Sequence, residues 1–343
     1  MDNSPSNSLQ TYYTRRKTMR RFTFIIFFSL TAFILVLTVS TIHAQPYPNR
    51  PIQLIIPNVP GAVMDITGRM LAEEIGKILG AQLIVMNKPG AAMIVGTEAV
   101  VRSKKDGYTL TYTGSSAIVY ARATNPETVP YNPDKDLEPL GLHLFLPQAV
   151  AVQESSPWKT FGELVDYAKK NPGKLRVSTI GIGSTSHFNL EIVQSLTGSQ
   201  FTHVPFKGGE SVTTALLGGH VEVTLDAPSK MLPHVNAGKL RILLISKKLP
   251  ELPNIPSITE LGYKQDLLTA WLAMFAPAGI PLEVKKVLLP SIEKAIKNPE
   301  LKAKIEKMEG YLVDYKSPEE LKKLIVEEYE KANGIAVKIG LRK

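Results

Sequence analysis

The chain alternates short apolar runs with segments in which apolar residues recur at every third or fourth position. Ile52–Ile56 is an apolar run of β-forming residues closed by Pro57, and such a run suits a strand that is buried on both faces. A loop rich in proline and glycine follows. Residues 66–79 then carry apolar side chains at helical spacing, and Gly80 ends the pattern. This stretch therefore predicts a strand, a loop and a helix.

The same alternation continues to the end of the chain, interrupted by a turn-rich connector at 131–136. Further strands are predicted at 82–86, 108–113, 144–153, 175–180, 201–206, 221–225 and 240–245. Residues 91–101 are predicted as a loop that leads into a helix, and further helices are predicted at 161–170, 188–197, 211–217, 231–236, 284–296, 299–308 and 318–333. Such alternation is typical of an α/β protein with parallel sheets, which is the fold class we predict. The run 144–153 would leave a first lobe, and the run 268–275 would return to it.

Two units of strand, glycine-containing loop and helix stand out, at 52–79 and 175–197. In such a unit the first-turn amides of the helix point toward the loop at the carboxyl end of the strand, which is a natural site for an anion. Two such loops facing each other across a cleft would hold a carboxylate, and nearby hydroxyls would add donors. These hydroxyls belong to Ser115, Ser116, Ser184, Thr185 and Ser186. The alternative is that both loops are ordinary strand-to-helix turns.

Two carboxylates lie beside these predicted loops and strand ends. Asp65 directly precedes the first predicted helix, where it would either cap the helix or belong to the binding loop. Asp226 follows the predicted strand 221–225. There it would orient a loop or accept a hydrogen bond from a ligand N–H or O–H.

Residues 1–44 have the pattern of a secretory signal peptide. Residues 15–21 are basic, 22–39 are apolar, and Ala44 supplies a small residue before the expected cleavage point. Met19 is an alternative start that would give a more usual leader length. We therefore expect a periplasmic protein. The alternative is an uncleaved N-terminal membrane anchor on the outer face, because the apolar run is nearly long enough to span a bilayer.

Composition excludes several classes of function. The 343 residues allow two domains, and the absence of cysteine excludes a disulfide framework and a thiolate metal site. Of the net charge of +9, residues 1–44 carry +4, and the remaining +5 is spread along the chain or concentrated in the C-terminal helices, without a basic stripe that interleaves aromatic residues. We therefore expect no nucleic acid partner.

The strongest enzyme signal is the stretch Gly183-Ser184-Thr185-Ser186-His187, which places serine and histidine within one helical turn. A nucleophile elbow requires G-x-S-x-G and a histidine from far along the chain, so we expect no catalytic residues and no enzyme. The histidines are scattered without H-E-x-x-H, and the glycine loops match neither G-x-G-x-x-G nor the P-loop. We therefore expect neither a metal nor a cofactor.

A set of short segments in the same order along residues 47–340 resembles a known family, the extracytoplasmic solute receptors of tripartite tricarboxylate transporters, also called Bug or TctC-like proteins. The segments are Tyr47-Pro-Asn-Arg-Pro-Ile52, Pro57-Asn-Val-Pro-Gly61 through Asp65, Asn87-Lys-Pro-Gly90, Asp106-Gly-Tyr-Thr109, Ser184-Thr-Ser-His187, His203-Val-Pro-Phe-Lys-Gly208, Pro233-His234, Ala237-Gly-Lys-Leu240 and Phe275-Ala-Pro-Ala-Gly279. The resemblance implies a two-lobed, type II-like periplasmic binding protein. Each lobe would be a mostly parallel sheet flanked by helices, and the lobes would close on a small carboxylate by hinge motion.

On this basis we expect lobe 1 to comprise residues 45–145 and 271–343, and lobe 2 to comprise residues 146–270. The chain would cross between them near 144–148 and 268–272. The resemblance also implies the ligand-binding residues, which fall on loops of both lobes. They are Pro60, Gly61, Ala62, Val63, Met64, Asp65, Ser115, Ser116, Ser184, Thr185, Ser186, His187, Lys207 and Asp226.

The sequence departs from the family pattern at two loops of lobe 1. The family usually has P-G-G-x-x-D where this chain has Pro60-Gly-Ala-Val-Met-Asp65, and glycines with asparagine where it has Ala91-Ala-Met-Ile-Val95. One hypothesis is a ligand with one anchoring carboxylate and an apolar or aromatic body. The alternative is that these apolar side chains face the core and that the ligand is an ordinary dicarboxylate.

The predicted function is capture of a small organic carboxylate for the membrane subunits of a tripartite tricarboxylate-type transporter, by a monomeric protein without catalysis. The second interpretation is a receptor that presents its ligand to a sensor kinase, and the third is a secreted hydrolase.

Overall fold

The computed structural model describes residues 46–206 and 210–342, and from Tyr47 onward the chain forms one compact unit. The strands are β1 Ile52–Ile56, β2 Leu83–Asn87, β3 Thr109–Gly114, β4 Leu137–Leu146, β5 Ala149–Gln153, β6 Arg176–Thr179, β7 Thr202–Pro205, β8 Val223–Asp226, β9 Leu240–Ile245, β10 Ala270–Pro277 and β11 Leu312–Lys316. The longer helices are α1 Val63–Leu79, α2 Ile94–Val101, α3 Phe161–Lys170, α4 Thr185–Thr197, α5 Glu210–Leu217, α6 Pro228–Asn236, α7 Leu282–Ile296, α8 Pro299–Glu306 and α9 Pro318–Lys338. Short helical turns lie at Ala91–Met93, Ser116–Tyr120, Ala121–Thr124, Pro126–Thr128 and Pro133–Asp136.

The strands form two sheets. The first has six strands in the order β11-β4-β10-β3-β1-β2, and the second has five in the order β7-β6-β8-β5-β9. In the first sheet β1 pairs in parallel with β2 and β3, whereas β10 runs antiparallel to both β3 and β4. In the second sheet β6 pairs in parallel with β7 and β8, whereas β5 runs antiparallel to β8 and β9. The first sheet therefore has two reversed strands, β10 and β11, and the second sheet has one, β5.

The chain enters and leaves the second sheet through two connecting segments, which we call crossings. Pro147 and Gln148 join β4 of the first sheet to β5 of the second, and residues 246–269 lead from β9 back to β10. The crossings are tied together, because the Gln148 amide donates to Ser246 Oγ at 2.9 Å and Ser246 Oγ lies 2.8 Å from Thr269 Oγ1.

Local sequence signals account for most of the helix ends. Gly80 adopts a left-handed conformation (φ +63°) at the end of α1, which glycine does without steric cost. Thr160 and Glu163 form a capping box at the start of α3, and Ser317 and Glu320 form another at the start of α9.

A buried apolar cluster joins the two sheets. It includes Phe145, Val150, Phe188 and Trp271, and residues of α9 such as Leu321 complete it. Burial of apolar side chains from both sheets in one cluster favours the close approach of the sheets seen here.

The predicted alternation of strands and helices is confirmed, and α3 and β9 have the predicted bounds. The prediction of one strand at 144–153 is wrong. Pro147 cannot donate to a ladder, and the chain there forms β4 and β5 in different sheets. The extension of β4 back to Leu137 and all of β11 were not predicted. The first helix begins at Val63, three residues before the predicted start.

The predicted signal peptide, the alternative anchor and Lys207 lie outside the described residues. Within the described ranges, no helix combines the length and apolar character needed to cross a membrane.

Candidate functional site

The carboxyl ends of paired strands bring the predicted loops together. Because β1 and β3 are parallel neighbours, the loop that leads into α1 and the Ser115–Ser116 turn lie at one edge of the first sheet. Because β6 and β8 are parallel neighbours, the loop that leads into α4 and Asp226 lie at one edge of the second sheet. Each sheet edge therefore places a helix start beside other candidate binding residues, the Ser115–Ser116 turn next to α1 and Asp226 next to α4.

The two edges face each other. A Cβ atom placed on Gly183, in the α4 loop, would lie 3.1 Å from Thr124 Cγ2 of the first sheet's helical turns. The rings of Tyr120 and Phe188 have centroids 5.6 Å apart. Asn189 of α4 both donates to and accepts from the backbone of Leu268, at 2.8 and 2.7 Å. These contacts place the α4 loop against the helical turns that follow β3, at the sheet edge where α1 also begins.

The start of α1 offers unpaired amides. Ala62 precedes the helix without providing a side-chain cap. Among the described residues, the amides of Val63, Met64 and Asp65 have no acceptor, because the first backbone bond of the helix runs from Ile66 to Ala62. First-turn amides carry the positive end of the helix dipole, so an anion is their natural partner.

Asp65 holds the α1 loop in shape. Its buried carboxylate accepts hydrogen bonds from the Gly61 amide at 2.9 Å, from Arg69 Nε at 2.9 Å and from Asn87 Nδ2 at 2.8 Å. Burial alone would raise the pKa of this carboxyl, but these donors outweigh it and lower the pKa below its usual value. The expectation that Asp65 caps the helix is wrong, because Ala62 occupies the cap position and Asp65 lies inside the first turn.

Several apolar residues face the core in the two loops that differ from the family pattern. Met64 is buried in the core beneath the first sheet, and Val63 and Met93 pack against the same core. Val95 stays partly exposed, as do the alanines of the Ala91–Met93 turn. That turn is strained, since its three residues have φ of +44°, +51° and +77°.

The hydroxyls of the α4 loop mostly hold that loop. Ser184 is the cap residue of α4, and its Oγ accepts from the His187 amide at 3.2 Å and donates to the Gly181 carbonyl at 2.6 Å. Ser186 Oγ accepts from the Ile180 amide at 3.1 Å. In the part of the chain that the structure describes, the amides of Thr185 and Ser186 have no acceptor. The second loop therefore also presents helix-start amides.

The His187 ring helps to hold the α4 loop. Its Nδ1 accepts from the Gly183 amide at 3.1 Å, and its ring stacks on His203 with centroids 4.2 Å apart. Burial, and secondarily the neighbouring His203, lower the pKa of His187 to about 4, so the ring is neutral at pH 7. Neither serine hydroxyl of the loop hydrogen-bonds to the imidazole. The geometry lacks the serine–histidine pair on which the hydrolase interpretation depends.

Asp226 lies at the expected strand end, with its carboxylate already engaged. It accepts from the Ala227 amide at 2.8 Å and from Lys230 Nζ at 3.2 Å. Burial raises the pKa of Asp226 in spite of Lys230. On the other sheet, Ser115 is buried and its Oγ accepts from the Trp271 amide at 3.4 Å, while Ser116 begins the helical turn that follows.

Tyr120 is a candidate that sequence reasoning missed. Its hydroxyl is fully buried, makes no hydrogen bond of ordinary geometry, and has Ser115, Thr185 and Glu328 as polar neighbours. Nothing in the local pattern distinguishes this tyrosine from a core aromatic residue, because its neighbours come from three distant segments. In residues 46–206 and 210–342, no group of acidic and histidine side chains could hold a metal ion.

Comparison with known proteins identifies the family. A family model described as the tripartite tricarboxylate transporter family receptor, TctC, matches residues 67–341. The chain belongs to this family. A TctC relative from Cupriavidus necator, named for its position in the gbd 5′ region, is 33% identical over 305 residues, which cover 88% of this chain and 91% of the relative. The predicted family resemblance is confirmed.

Solved TctC-like structures share the fold. A ligand-free TctC solute-binding protein from Polaromonas has a TM-score of 0.76 at 27% identity, over 85% of this chain and 99% of that chain. MatC from Rhodopseudomonas palustris, with bound malate, has a TM-score of 0.68 at 26% identity, over 84% of this chain and all of its own length (100%). R. palustris Rpa4515, with adipate, has a TM-score of 0.71 at 25% identity, over 84% of this chain and 98% of that chain. The two-lobed α/β binding-protein fold is therefore confirmed.

Proposed function

We propose that this TctC-family receptor captures a small organic carboxylate between its two sheets and delivers it to the membrane subunits of a tripartite tricarboxylate-type transporter. One observation carries the proposal: two helix starts with unpaired amides, at Val63–Asp65 and at Thr185–Ser186, lie on facing strand edges. Helix-start amides bind carboxylates without a fixed cation. The malate and adipate complexes of related receptors support this ligand class.

The proposed binding residues fall into two groups. Pro60 to Asp65 and Ser184 to His187 would form the facing loops, with amides at the ligand and with side chains such as Asp65 and Ser184 holding the loops. Ser115, Ser116, Lys207 and Asp226 would complete the surroundings. We propose lobe 1 as residues 45–145 and 271–343 and lobe 2 as residues 146–270, which agrees with the sheet to which each strand belongs.

The core position of Met64 favours an ordinary dicarboxylate over a ligand with an apolar body. Met64 is 3% exposed and Val63 packs on the same core, so neither offers a free apolar surface to a ligand. Malate and adipate are therefore the first ligands to test, with citrate and an aromatic monocarboxylate for contrast. Strong binding of the aromatic acid alone would contradict this choice.

The decisive experiment is thermal unfolding of the mature chain with a panel of carboxylates. A ligand at about one hundred times its dissociation constant stabilises a fold by roughly 2.7 kcal/mol, which raises the melting temperature by several degrees. A shift with one carboxylate class supports the proposal. No shift with any carboxylate, in folded protein free of co-purified ligand, would refute it.

The remaining parts of the proposal have separate tests. We propose a periplasmic, non-catalytic monomer released from its leader after Ala44. N-terminal sequencing of the exported protein would show a chain beginning at Gln45, whereas a start at Met1 or Met19 would contradict cleavage. Recovery of each ligand unchanged after long incubation would support a purely binding role, and sedimentation would give the oligomeric state.

A further inference from the structure

A buried acidic side chain lies where the segments that join the two sheets meet, and the proposed ligand contacts do not use it. Glu328 of α9 is 6% exposed, and its Oε2 accepts from Trp271 Nε1 at 2.8 Å. The unpartnered hydroxyl of Tyr120 is its neighbour, and Ser115 and Thr185 lie on the other sides of that hydroxyl. Thr185 begins α4 on the second sheet, so this cluster contains polar groups from both proposed lobes.

One side of Glu328 borders a cavity of about 490 Å³. Part of its wall comes from the crossing that leads back to β10, namely Ser246, Lys247 and residues 267–269, and part from Phe145 near the end of β4. The rest of the wall comes from α9 and from Lys316 of β11. Access of water to Glu328 therefore depends on the segments that must bend when the lobes move apart.

The charged groups around this carboxyl do not form a fixed ion pair with it. From other elements, Tyr120, Lys247, Asp266 and Lys316 face the cluster or its cavity. From α9, the charged residues that do so are Glu320, Lys323, Glu327 and Lys331. Lys247 pairs with Asp314 at 3.5 Å, and Lys316 pairs with the same carboxylate at 3.3 Å. Arg122 lies 3.7 Å above the neighbouring Tyr329 ring and pairs with Asp134. Among the described residues, Glu328 therefore forms no ion pair, and Lys331 acts on it only through its charge.

Burial therefore has the largest effect on the pKa of Glu328. Desolvation raises the pKa of Glu328 to about 8, and the bond from Trp271, the charge of Lys331 and the Tyr120 hydroxyl oppose that rise only in part. In the structure described here the carboxyl is therefore protonated and neutral at pH 7.

We propose that Glu328 couples closure of the lobes to the uptake of one proton. This inference rests on the proposed function, because it concerns closure on a captured ligand. In the closed arrangement the crossings exclude water and the carboxyl keeps its proton. Opening admits water from the cavity side, and the carboxyl returns toward its usual acidity and releases the proton.

The direction of the pH effect on closure follows from the difference between the pKa of Glu328 in the closed state and in the open state. Below the usual pKa of a glutamic acid, both states are protonated and pH has no influence. Between that value and the raised pKa, only the closed state holds the proton, so each unit fall in pH favours closure by up to about tenfold. Above the raised pKa the preference for closure is smallest.

The first test uses the two tryptophans of the chain, Trp158 and Trp271. In the Trp158→Phe variant, emission comes from Trp271, whose indole N–H donates to Glu328. We expect a pH-dependent change in emission with its midpoint near the raised pKa, about 8. The change should disappear on adding Glu328→Gln and persist on adding Glu327→Gln, the matched control one residue earlier on α9. A flat profile, or a change that survives Glu328→Gln, would overturn the proposal.

A second variant guards against misfolding of the first. The Tyr120 hydroxyl lowers the pKa of Glu328, so Tyr120→Phe in the same background should move the emission midpoint to higher pH. An unchanged or lowered midpoint would contradict the arrangement of the cluster.

The last test measures closure directly in the ligand-free protein. The chain has no cysteine, so spin labels at Lys104→Cys and Lys174→Cys, two exposed positions on the first and second proposed lobes, report only the distance between lobes. We expect a larger fraction of long distances at about pH 9.5 than at about pH 6.5, and no such change in Glu328→Gln. Equal distributions at both pH values, or the same change in the variant, would refute the coupling. Since no ligand is needed, failure of the carboxylate panel and failure of this proposal are separate results.

Discussion

Removal of a single helix-start amide tests the proposed binding mode most directly. Val63 is the first residue of α1, and its N–H has no acceptor among the described residues. Proline is favoured at this position, and the preceding Ala62 already has φ −68° and ψ 157°, which a following proline requires. Val63→Pro should therefore delete one donor at the cleft without breaking a backbone hydrogen bond.

The expected loss of affinity follows from the type of bond removed. A hydrogen bond to a charged group contributes roughly 1.5–3 kcal/mol, so loss of this amide should weaken carboxylate binding by about tenfold or more. Stability should change little, because the proline ring restricts the unfolded chain while a half-buried valine loses part of its packing. Calorimetric titration with malate and adipate gives the affinity, and thermal unfolding gives the stability.

Leu282→Pro is the matched control. Leu282 is the first residue of α7, is 64% exposed and lies outside the proposed site. This variant also removes a first-turn amide, and we expect it to bind like the unaltered protein. Full affinity in Val63→Pro, with both variants folded, would refute the claim that the α1 amides hold the ligand.

Three further predictions concern the loops around the site. Asp65→Asn should lower stability by roughly 2–4 kcal/mol at pH 7, since a buried carboxylate with three donors is replaced. Because the pKa of Asp65 is lowered, its contribution to the stability of the unaltered protein disappears as pH falls below the usual carboxyl range. Chemical unfolding from about pH 7 to about pH 3 would show this loss. The exposed Glu73→Gln variant is the control. Because the pKa of His187 is lowered to about 4, the folded protein should lose stability as pH falls from about 6.5, since the unfolded chain takes up a proton first. His187→Asn should flatten this pH dependence in thermal unfolding. An unchanged pH dependence would contradict the lowered pKa of His187. Ala92→Gly should raise stability by about 1 kcal/mol, because Ala92 has φ +51°, and a fall in melting temperature would count against strain at this turn.

Periodicity in the sequence was enough to predict much of the fold. The run of β1, apolar except for Gln53, the helical spacing of α1 and the terminating Gly80 are local signals, and the structure confirms a strand, a helix and a helix end there. Local signals failed where the pairing of strands that are distant in sequence decides the structure. Residues 144–153 read as one strand because apolar residues continue across Pro147, yet β4 and β5 pair with different neighbours.

The position of the candidate site was also predictable in outline, while the roles of its side chains were not. Sequence placed Asp65, Ser184 and His187 where the two loops meet their helices. In the structure Ser184 caps α4, and Asp65 and His187 lie in the first turns of α1 and α4. Their partners decide what they do. Asp65 is engaged by Arg69 and Asn87, and His187 stacks on His203 from another strand. A residue pattern shows that a polar group is present, but it does not show which distant group satisfies it.

The sequence by itself therefore determined the α/β class, the two strand–loop–helix units and membership of a receptor family, because these depend on spacing within a few residues and on ordered short segments. Only the tertiary structure decided that Met64 faces the core, that the unpaired amides of α1 and α4 lie on facing edges, and that Tyr120, Trp271 and Glu328 form one buried cluster. Within this cluster, Tyr120 and Glu328 are about two hundred positions apart in the sequence. Their proximity arises from strand pairing and apolar burial, which no local stretch of sequence specifies.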